Sequence, residues 1–138
     1  MRVKAIQKVN RKSIYSHLTK CVSKFVEIGF GGVYGLRVVE SACISSNQLE
    51  AARRAIQRII GRRFDLRIFS SRQYNITSKP IETRMGKGKG NISGRIIAVR
   101  KGALLFELIS GNLYRQLAKK ALNEASKKLI ARTRFVEY

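Results

Sequence analysis

The sequence predicts an α+β fold in which two helices pack on a mostly antiparallel sheet and a long basic loop connects two strands. Two stretches, 45–61 and 111–129, carry apolar residues at the helical period. Short apolar or alternating stretches of strand length surround them. Two of these, 95–99 and 104–109, are only four residues apart. A gap of this length predicts a hairpin, which excludes a purely parallel sheet.

The net charge of the chain limits its possible functions more than its length does. The chain has 138 residues, the size of one ordinary domain, and 44% of them are hydrophobic. It carries 29 Lys and Arg against 8 Asp and Glu, a net charge of +21. Such a surplus repels itself unless a polyanion neutralises it, which favours nucleic acid as the partner. An anionic membrane is the weaker alternative, because the apolar runs are far too short for a membrane span.

The chain divides, in our prediction, into a basic arm at residues 1–28 and one α+β domain at residues 29–138. The arm has no acid before Glu27, and apolar residues at helical spacing within 14–25 predict a short helix. An acid-poor, basic start is also typical of an organellar transit peptide. We expect an RNA-binding arm, with an uncleaved targeting signal as the alternative. The glycine cluster at 29–35 predicts a turn that enters a strand.

The first long helix is predicted over residues 45–61. Ser45 with Gln48 forms a capping box at its start, and Gly61 is placed to end it. Its apolar stripe comprises Leu49, Ala52, Ile56, Ile59 and Ile60. Only Glu50 opposes the basic residues of the other face, so this face is either solvated or in contact with phosphates. The predicted phosphate contacts are Arg53, Arg54, Arg58, Arg62 and Arg63.

The remaining elements follow from shorter patterns. Residues 64–69 alternate as a half-buried strand does, 70–78 form a connector, and 133–136 form a closing strand. The second helix starts at 111–112 with Asn112 as its cap. Its buried stripe is Leu113, Leu117, Ala121, Leu122, Ala125 and Leu129. Its solvent-facing cations are Arg115, Lys119, Lys120, Lys127 and Lys128.

The basic loop, residues 79–94, has neither a helical nor a strand period and alternates glycine with lysine. Glycine lets the backbone approach a ligand closely, and the interleaved lysines bring charge to it. The spacing fits neither a nucleotide phosphate loop nor a dinucleotide fingerprint. A solvated basic loop and a nucleic-acid contact are therefore both open. The predicted RNA-binding residues are Lys79, Arg84, Met85, Gly86, Lys87, Gly88, Lys89 and Gly90.

The sequence contains few residues that could act in catalysis or bind a metal ion. There is one histidine, His17, and one aspartate, Asp65, and the glutamates show no ligand spacing. We expect no metal and no cofactor. An RNA-processing enzyme with Glu82 as its base and a general DNA-compacting protein are the alternative functions. Cys21 and Cys43 are expected to be reduced thiols, since they form no CxxC pair.

Several motifs together resemble one family. They are QLEAARRAI at 48–56, RIF at 67–69, KP at 79–80, RMGKGKGN at 84–91, LFE at 105–107 and Thr133 with Phe135-Val136. Their order and spacing resemble the L-sixteen family of large-subunit ribosomal proteins, bacterial and organellar type.

The resemblance implies two helices against an antiparallel sheet and a structural protein that is neither an enzyme nor a homo-oligomer. It implies large-subunit rRNA, tRNA and neighbouring large-subunit ribosomal proteins as partners. The loop would reach toward the peptidyl-transferase region, with 84–90 at the family's loop positions. The family's usual pattern is changed at Gly94-Arg95, at 40–43 and at Ile130. These departures favour a ribosome in the mitochondrial matrix over one in the bacterial cytoplasm.

Overall fold

A computed structural model of the protein describes residues 34–61, 64–69, 73–109 and 113–138. The predicted arm and its helix, Arg62, Arg63 and Asn112 lie outside the described residues. The elements in chain order are β1 (Tyr34–Val38), β2 (Ala42–Ser45), α1 (Ser46–Ile60), β3 (Asp65–Ile68), β4 (Gln73–Ser78), β5 (Asn91–Val99), β6 (Leu104–Ile109), α2 (Arg115–Ser126) and β7 (Thr133–Glu137).

The described strands form two antiparallel sheets, which confirms the α+β class. One sheet has the order β3-β6-β1-β7 and the other the order β2-β5-β4. The predicted hairpin of 95–99 with 104–109 is wrong, because β5 and β6 belong to different sheets. The connection between them bonds to β1 instead: Gly102 N–H donates to Val38 O at 2.8 Å, and Val38 N–H donates to Ala103 O at 2.9 Å. Since β6 lies between β3 and β1, it has no edge left for β5.

The core lies between the sheets and the two helices, which pack against each other. Alanines with no exposed surface, Ala52 on α1 and Ala118, Ala121 and Ala125 on α2, line the helix faces of this core. Small side chains let two helices approach closely. The predicted stripe of α1 is confirmed: Ala52, Ile56 and Ile60 are buried, with Leu49 and Ile59 packed against the core. Full burial of one such aliphatic side chain stabilises the fold by roughly 1.5–3 kcal/mol.

The ends of α1 are as predicted. Asn47 N–H donates to Ser45 Oγ at 3.3 Å, and Ser45 N–H donates to Gln48 Oε1 at 3.1 Å, which completes the capping box. Gly61 has φ of 84° and donates its N–H to Gln57 O at 2.9 Å. A positive φ of this kind suits glycine and ends the helix. Ser45 is also the last residue of β2, a strand that the sequence patterns did not predict.

The second helix starts later than predicted. It begins at Arg115 with Tyr114 at the N-cap, and no side chain caps it. Its stripe is confirmed, because Ala121, Leu122 and Ala125 are buried and Leu117 and Leu129 pack against the core. The closing strand is also confirmed, as β7.

The prediction of a connector over 70–78 is wrong for its described part, since residues 73–78 form strand β4. The loop was also predicted four residues too long, because β5 begins at Asn91. Both strand segments, 73–78 and 91–94, consist largely of polar residues, so neither shows the apolar pattern that predicts a strand. In β4 only Tyr74 is buried, and the strand is held by pairing with β5 rather than by an apolar face.

Candidate nucleic-acid interface

The basic loop stands at the end of a two-stranded ribbon. Strand β2 pairs only with the far half of β5, from Ser45 opposite Ile96 to Ala42 opposite Val99. The near half of β5, residues 91–95, pairs with β4 alone. Residues 79–90, which we call the finger loop, therefore project beyond the three-stranded part of the sheet.

A bulge bends this ribbon just below the finger loop. Gly94 lies opposite Ile76, but Ile92 lies opposite Thr77, so Ser93 is the extra residue. The Ser93 hydroxyl donates to Ile76 O at 3.3 Å across the bulge. A β-bulge increases the local twist and changes the direction of the strands. The bulge thus helps to set the direction in which the finger loop points.

Two kinds of constraint explain the glycines of the finger loop. Gly86 and Gly88 both have φ of 94°, and Lys87 between them has φ of 53°. Three successive left-handed residues make a tight turn that side chains with a Cβ resist. Gly90 is needed for a different reason, because a Cβ there would lie 2.4 Å from Ser78 O.

Internal contacts hold the base of the finger loop. Thr83 N–H donates to Pro80 O at 3.1 Å, and the Lys79 ammonium donates to Gly86 O. Lys79 is half-buried and closes the loop, so its charge is less available than the sequence suggested. The predicted contacts Arg84, Met85, Lys87 and Lys89 are all exposed on this loop, Met85 at 99%. Arg84, Lys87 and Lys89 thus form a cationic end that faces solvent.

The predicted arginine face of α1 is partly neutralised within the protein. Arg53 Nη2 lies 2.6 Å from Glu50 Oε1, and Arg54 Nε lies 3.0 Å from the same oxygen. The hydrogen bonds from Arg53 and then Arg54 lower the pKa of Glu50 to about 2. Among the described arginines of this face, Arg58 alone has no side-chain partner. The α1 face therefore offers less free charge than its composition implies.

The solvent-facing side of α2 carries more free charge. Its cations are the five predicted ones, and all are exposed. Lys127 pairs with Glu124 at 2.6 Å, and Arg115 pairs with Glu137 of β7 at 2.8 Å. Lys119, Lys120 and Lys128 have no ion-pair or hydrogen-bond partner within the described part of the chain. Sequence reasoning described these lysines as solvated and assigned them no ligand, although the single acid on the face was already a signal.

Other chemistry has little support in the structure. Glu82, the candidate base, is exposed on the finger loop rather than held in a cavity. Within 34–61, 64–69, 73–109 and 113–138, no three His, Cys, Asp or Glu side chains are grouped to hold a metal ion. Cys43 is a half-buried free thiol whose pKa is raised by burial. No helix in the described ranges has the length and apolar character needed to cross a membrane.

A basic α+β body that holds out a glycine-rich cationic loop defines a nucleic-acid-binding structural protein. The sequence matches the family described as Ribosomal protein L16p/L10e over residues 3–136, and the chain belongs to that family, whose members are structural and non-enzymatic. This confirms the resemblance drawn from the motifs.

Three bacterial relatives show how far the similarity extends. The chain is 44% identical over 108 residues to large ribosomal subunit protein uL16 of Protochlamydia amoebophila, which covers 77% of this chain and 75% of the relative. It is 44% identical over 105 residues to uL16 of Akkermansia muciniphila, with 76% and 74% covered. It is 43% identical over 106 residues to uL16 of Neorickettsia sennetsu, with 77% and 75% covered.

Proposed function

We propose that this chain is a structural component of the large ribosomal subunit and binds large-subunit rRNA through the finger loop. The observation that carries the proposal is the ribbon of β4 and β5, which holds four cations and one acid beyond the body of the protein. Neutralising phosphates releases condensed counterions, which drives binding. The positive-φ turn at Gly86 and Gly88 supports it further, because the two glycines leave Lys87 as the single Cβ of the turn and let its backbone lie against a nucleic-acid backbone.

The residues of the interface have different roles in this proposal. Arg84 supplies a fork for bidentate phosphate contacts, and Lys87 and Lys89 supply point charges. Met85 adds an exposed apolar contact for an unstacked base. Lys79, Gly86, Gly88 and Gly90 shape the loop. On α1, Arg58 binds phosphate directly, and Arg53 and Arg54 bind where a phosphate replaces Glu50. Arg62 and Arg63, which the sequence also predicts as RNA contacts, lie outside the described residues.

The finer parts of the proposal concern location and partners. The finger loop would approach the tRNA-binding and peptidyl-transferase region, and the body would contact neighbouring ribosomal proteins as one copy per subunit. Residues 1–28 would be an RNA-binding arm on a domain of residues 29–138. A mitochondrial ribosome remains our proposal from the changed motifs, while the relatives above are bacterial. Fractionation of organelles, with the chain followed to mitochondrial large subunits, tests that location.

The proposal is tested by the salt dependence of RNA binding. Lys87→Ala and Lys89→Ala should each lower the slope of log K against log salt by about one, because each removes one phosphate contact. Lys101→Ala is the matched control, since Lys101 is exposed at the opposite end of β5. Equal slopes for all three variants and the unchanged protein would reject the finger loop as the contact. Preference for duplex DNA over structured rRNA in competition would favour the DNA-compacting alternative.

The tRNA contact needs a separate experiment in the assembled particle. A photo-crosslinking residue in place of Met85 should yield crosslinks to tRNA bound to intact ribosomes. Crosslinks to rRNA alone would restrict the finger loop to a structural role.

A further inference from the structure

The outward side of α2 carries only cationic and polar side chains. The buried alanines and Leu122 occupy one side of this helix, and the period of 3.6 residues places five exposed residues opposite them. These five residues, which we call the outward stripe, are Gln116, Lys119, Lys120, Asn123 and Lys127. The stripe extends about 16 Å along the helix, at a rise of 1.5 Å per residue. It is long enough to follow several phosphates of one nucleic-acid strand.

The positive charge of the outward stripe is only partly compensated. The single acid of α2, Glu124, lies 2.6 Å from the ammonium of Lys127. The hydrogen bond and charge of Lys127, followed by the charges of Lys128 and Lys120, lower the pKa of Glu124. Three lysines therefore share one carboxylate. Lys119 has no ion-pair or hydrogen-bond partner among the described residues, so the stripe keeps a positive charge after its one ion pair is formed.

The side chains of the outward stripe favour a phosphate backbone as the ligand. A helix that binds a membrane surface places Trp, Phe or Leu against the lipid, and a protein interface buries aromatic or aliphatic side chains at its centre. The stripe has no such residue. The large exposed apolar side chains nearest to α2, Tyr114 and Ile130, lie beyond its two ends. Lysine and side-chain amides are, in contrast, common donors to phosphate oxygens.

The outward stripe and the finger loop belong to different parts of the fold. Helix α2 packs against α1 and against β1 and β7 of the four-stranded sheet. The finger loop joins β4 to β5, which are strands of the three-stranded sheet. The two cationic surfaces are therefore carried by separate elements, and each can contact its own stretch of a polyanion.

We propose that the outward stripe binds the phosphate backbone of a second stretch of rRNA, so that the protein joins this stretch to the one at the finger loop. Lys119 and Lys120 neutralise phosphates, and Gln116 and Asn123 donate amide hydrogen bonds to phosphate oxygens. Lys127 binds where a phosphate replaces Glu124. Because these contacts are to the backbone, they do not depend on the base sequence. The inference rests on the proposed function, since it takes rRNA as the polyanion.

The first test measures binding of the full chain to in-vitro-transcribed large-subunit rRNA over a range of KCl concentrations. Lys119→Gln combined with Lys120→Gln should lower the salt slope by about two, because each lysine neutralises one phosphate. Glutamine has nearly the helix propensity of lysine, so the helix is retained, and circular dichroism checks this. The matched control is Arg100→Gln combined with Lys101→Gln. Both of these residues are exposed in the connection between β5 and β6, and the control loses the same two charges.

The second test asks whether two different stretches of RNA are bound. A photo-crosslinking residue at Asn123 and, in a separate variant, one at Met85 should stop reverse transcription in different segments of the rRNA. Stops in the same segment from both positions would overturn the joining of two stretches.

The outcomes separate this inference from the proposed function. A lower slope for the α2 double variant than for its control supports the outward stripe as a contact. Equal slopes for these two, together with a reduced slope for Lys87→Ala, overturn the stripe and leave the finger loop in place. If the unchanged chain does not bind the rRNA at all, the proposed function fails first and the inference fails with it. Unchanged rRNA binding by the α2 variant, with weaker binding to polyglutamate or to phosphatidylserine vesicles, would assign the stripe to an acidic protein or a membrane and overturn the RNA contact.

Discussion

Replacing Gly90 by alanine should damage the finger loop without unfolding the protein. A Cβ at this position would lie 2.4 Å from Ser78 O, 2.6 Å from Ser78 C and 2.9 Å from Lys79 N. All three atoms are backbone, so no rotamer change relieves the contact. The ribbon must open at its last pair, Ser78 opposite Asn91.

The magnitude is limited by the cheapest way to relieve the overlap. An overpacked site in a core costs roughly 1–3 kcal/mol. Here the ribbon can instead lose the one or two backbone hydrogen bonds at its end, at about 1 kcal/mol each. The local cost is therefore about 1–2 kcal/mol. The free energy of global unfolding should change by less, because the core near α1 and α2 is untouched.

The assay must therefore be local. Hydrogen exchange at the Asn91 amide should speed up by about tenfold or more, since about 1.4 kcal/mol is a factor of ten. Binding of rRNA should weaken because the direction of the finger loop is lost. Gly94→Ala is the matched control, since nothing lies within 4 Å of a Cβ at Gly94. Equal exchange rates in the two variants would show that Gly90 does not hold the base of the loop, and would refute the argument.

Three further predictions test the helices. Ser45→Ala removes the capping box of α1 and should cost about 1 kcal/mol in thermal or urea unfolding; an unchanged midpoint would contradict the cap. Glu50 has a folded pKa of about 2 against an ordinary 4.5, so its ion pairs contribute fully above pH 4.5 and are lost as the pH falls toward 2. Urea unfolding between pH 2 and 5 should show this loss in the unchanged protein and less of it in Glu50→Gln. The same variant should bind rRNA with a steeper salt slope, because two arginines are released. Lys119→Ala with Lys120→Ala should reduce the salt slope if α2 also faces phosphate, and an intact slope would leave these lysines solvated.

Elements with strong local signals could be predicted from the sequence. The start of α1 follows from Ser45 and Gln48, whose side chains bond within four residues, and its end follows from Gly61. The apolar stripes of both helices were also correct, because a period of 3.6 directly determines which face is buried. The finger loop was recognised because alternating glycine and lysine fits no regular element.

Pairing between distant strands could not be predicted in the same way. A four-residue gap between 95–99 and 104–109 favours a hairpin only while no other partner is considered. In the structure, Gly102 N–H donates to Val38 O and Val38 N–H donates to Ala103 O. These two hydrogen bonds join the connection to β1, although Val38 lies 64 residues before Gly102 in the chain. Strand β4 was missed for a related reason. Its polar sequence lacks an apolar face, and it is stabilised by pairing with β5. No local sequence pattern predicts that pairing.

The positions of the glutamates explain why unpaired positive charge is concentrated on the finger loop. Four of them, Glu40, Glu50, Glu124 and Glu137, each form an ion pair with an arginine or lysine on a helix or beside a strand. Such exposed pairs add little stability individually, but each lowers the local repulsion in a chain of net charge +21. The finger loop has only Glu82 against four cations, and it lies away from the core, where repulsion costs the fold least. The glutamates thus lower the net positive charge on the folded body. The positive charge of the finger loop stays largely unpaired and can bind a polyanion.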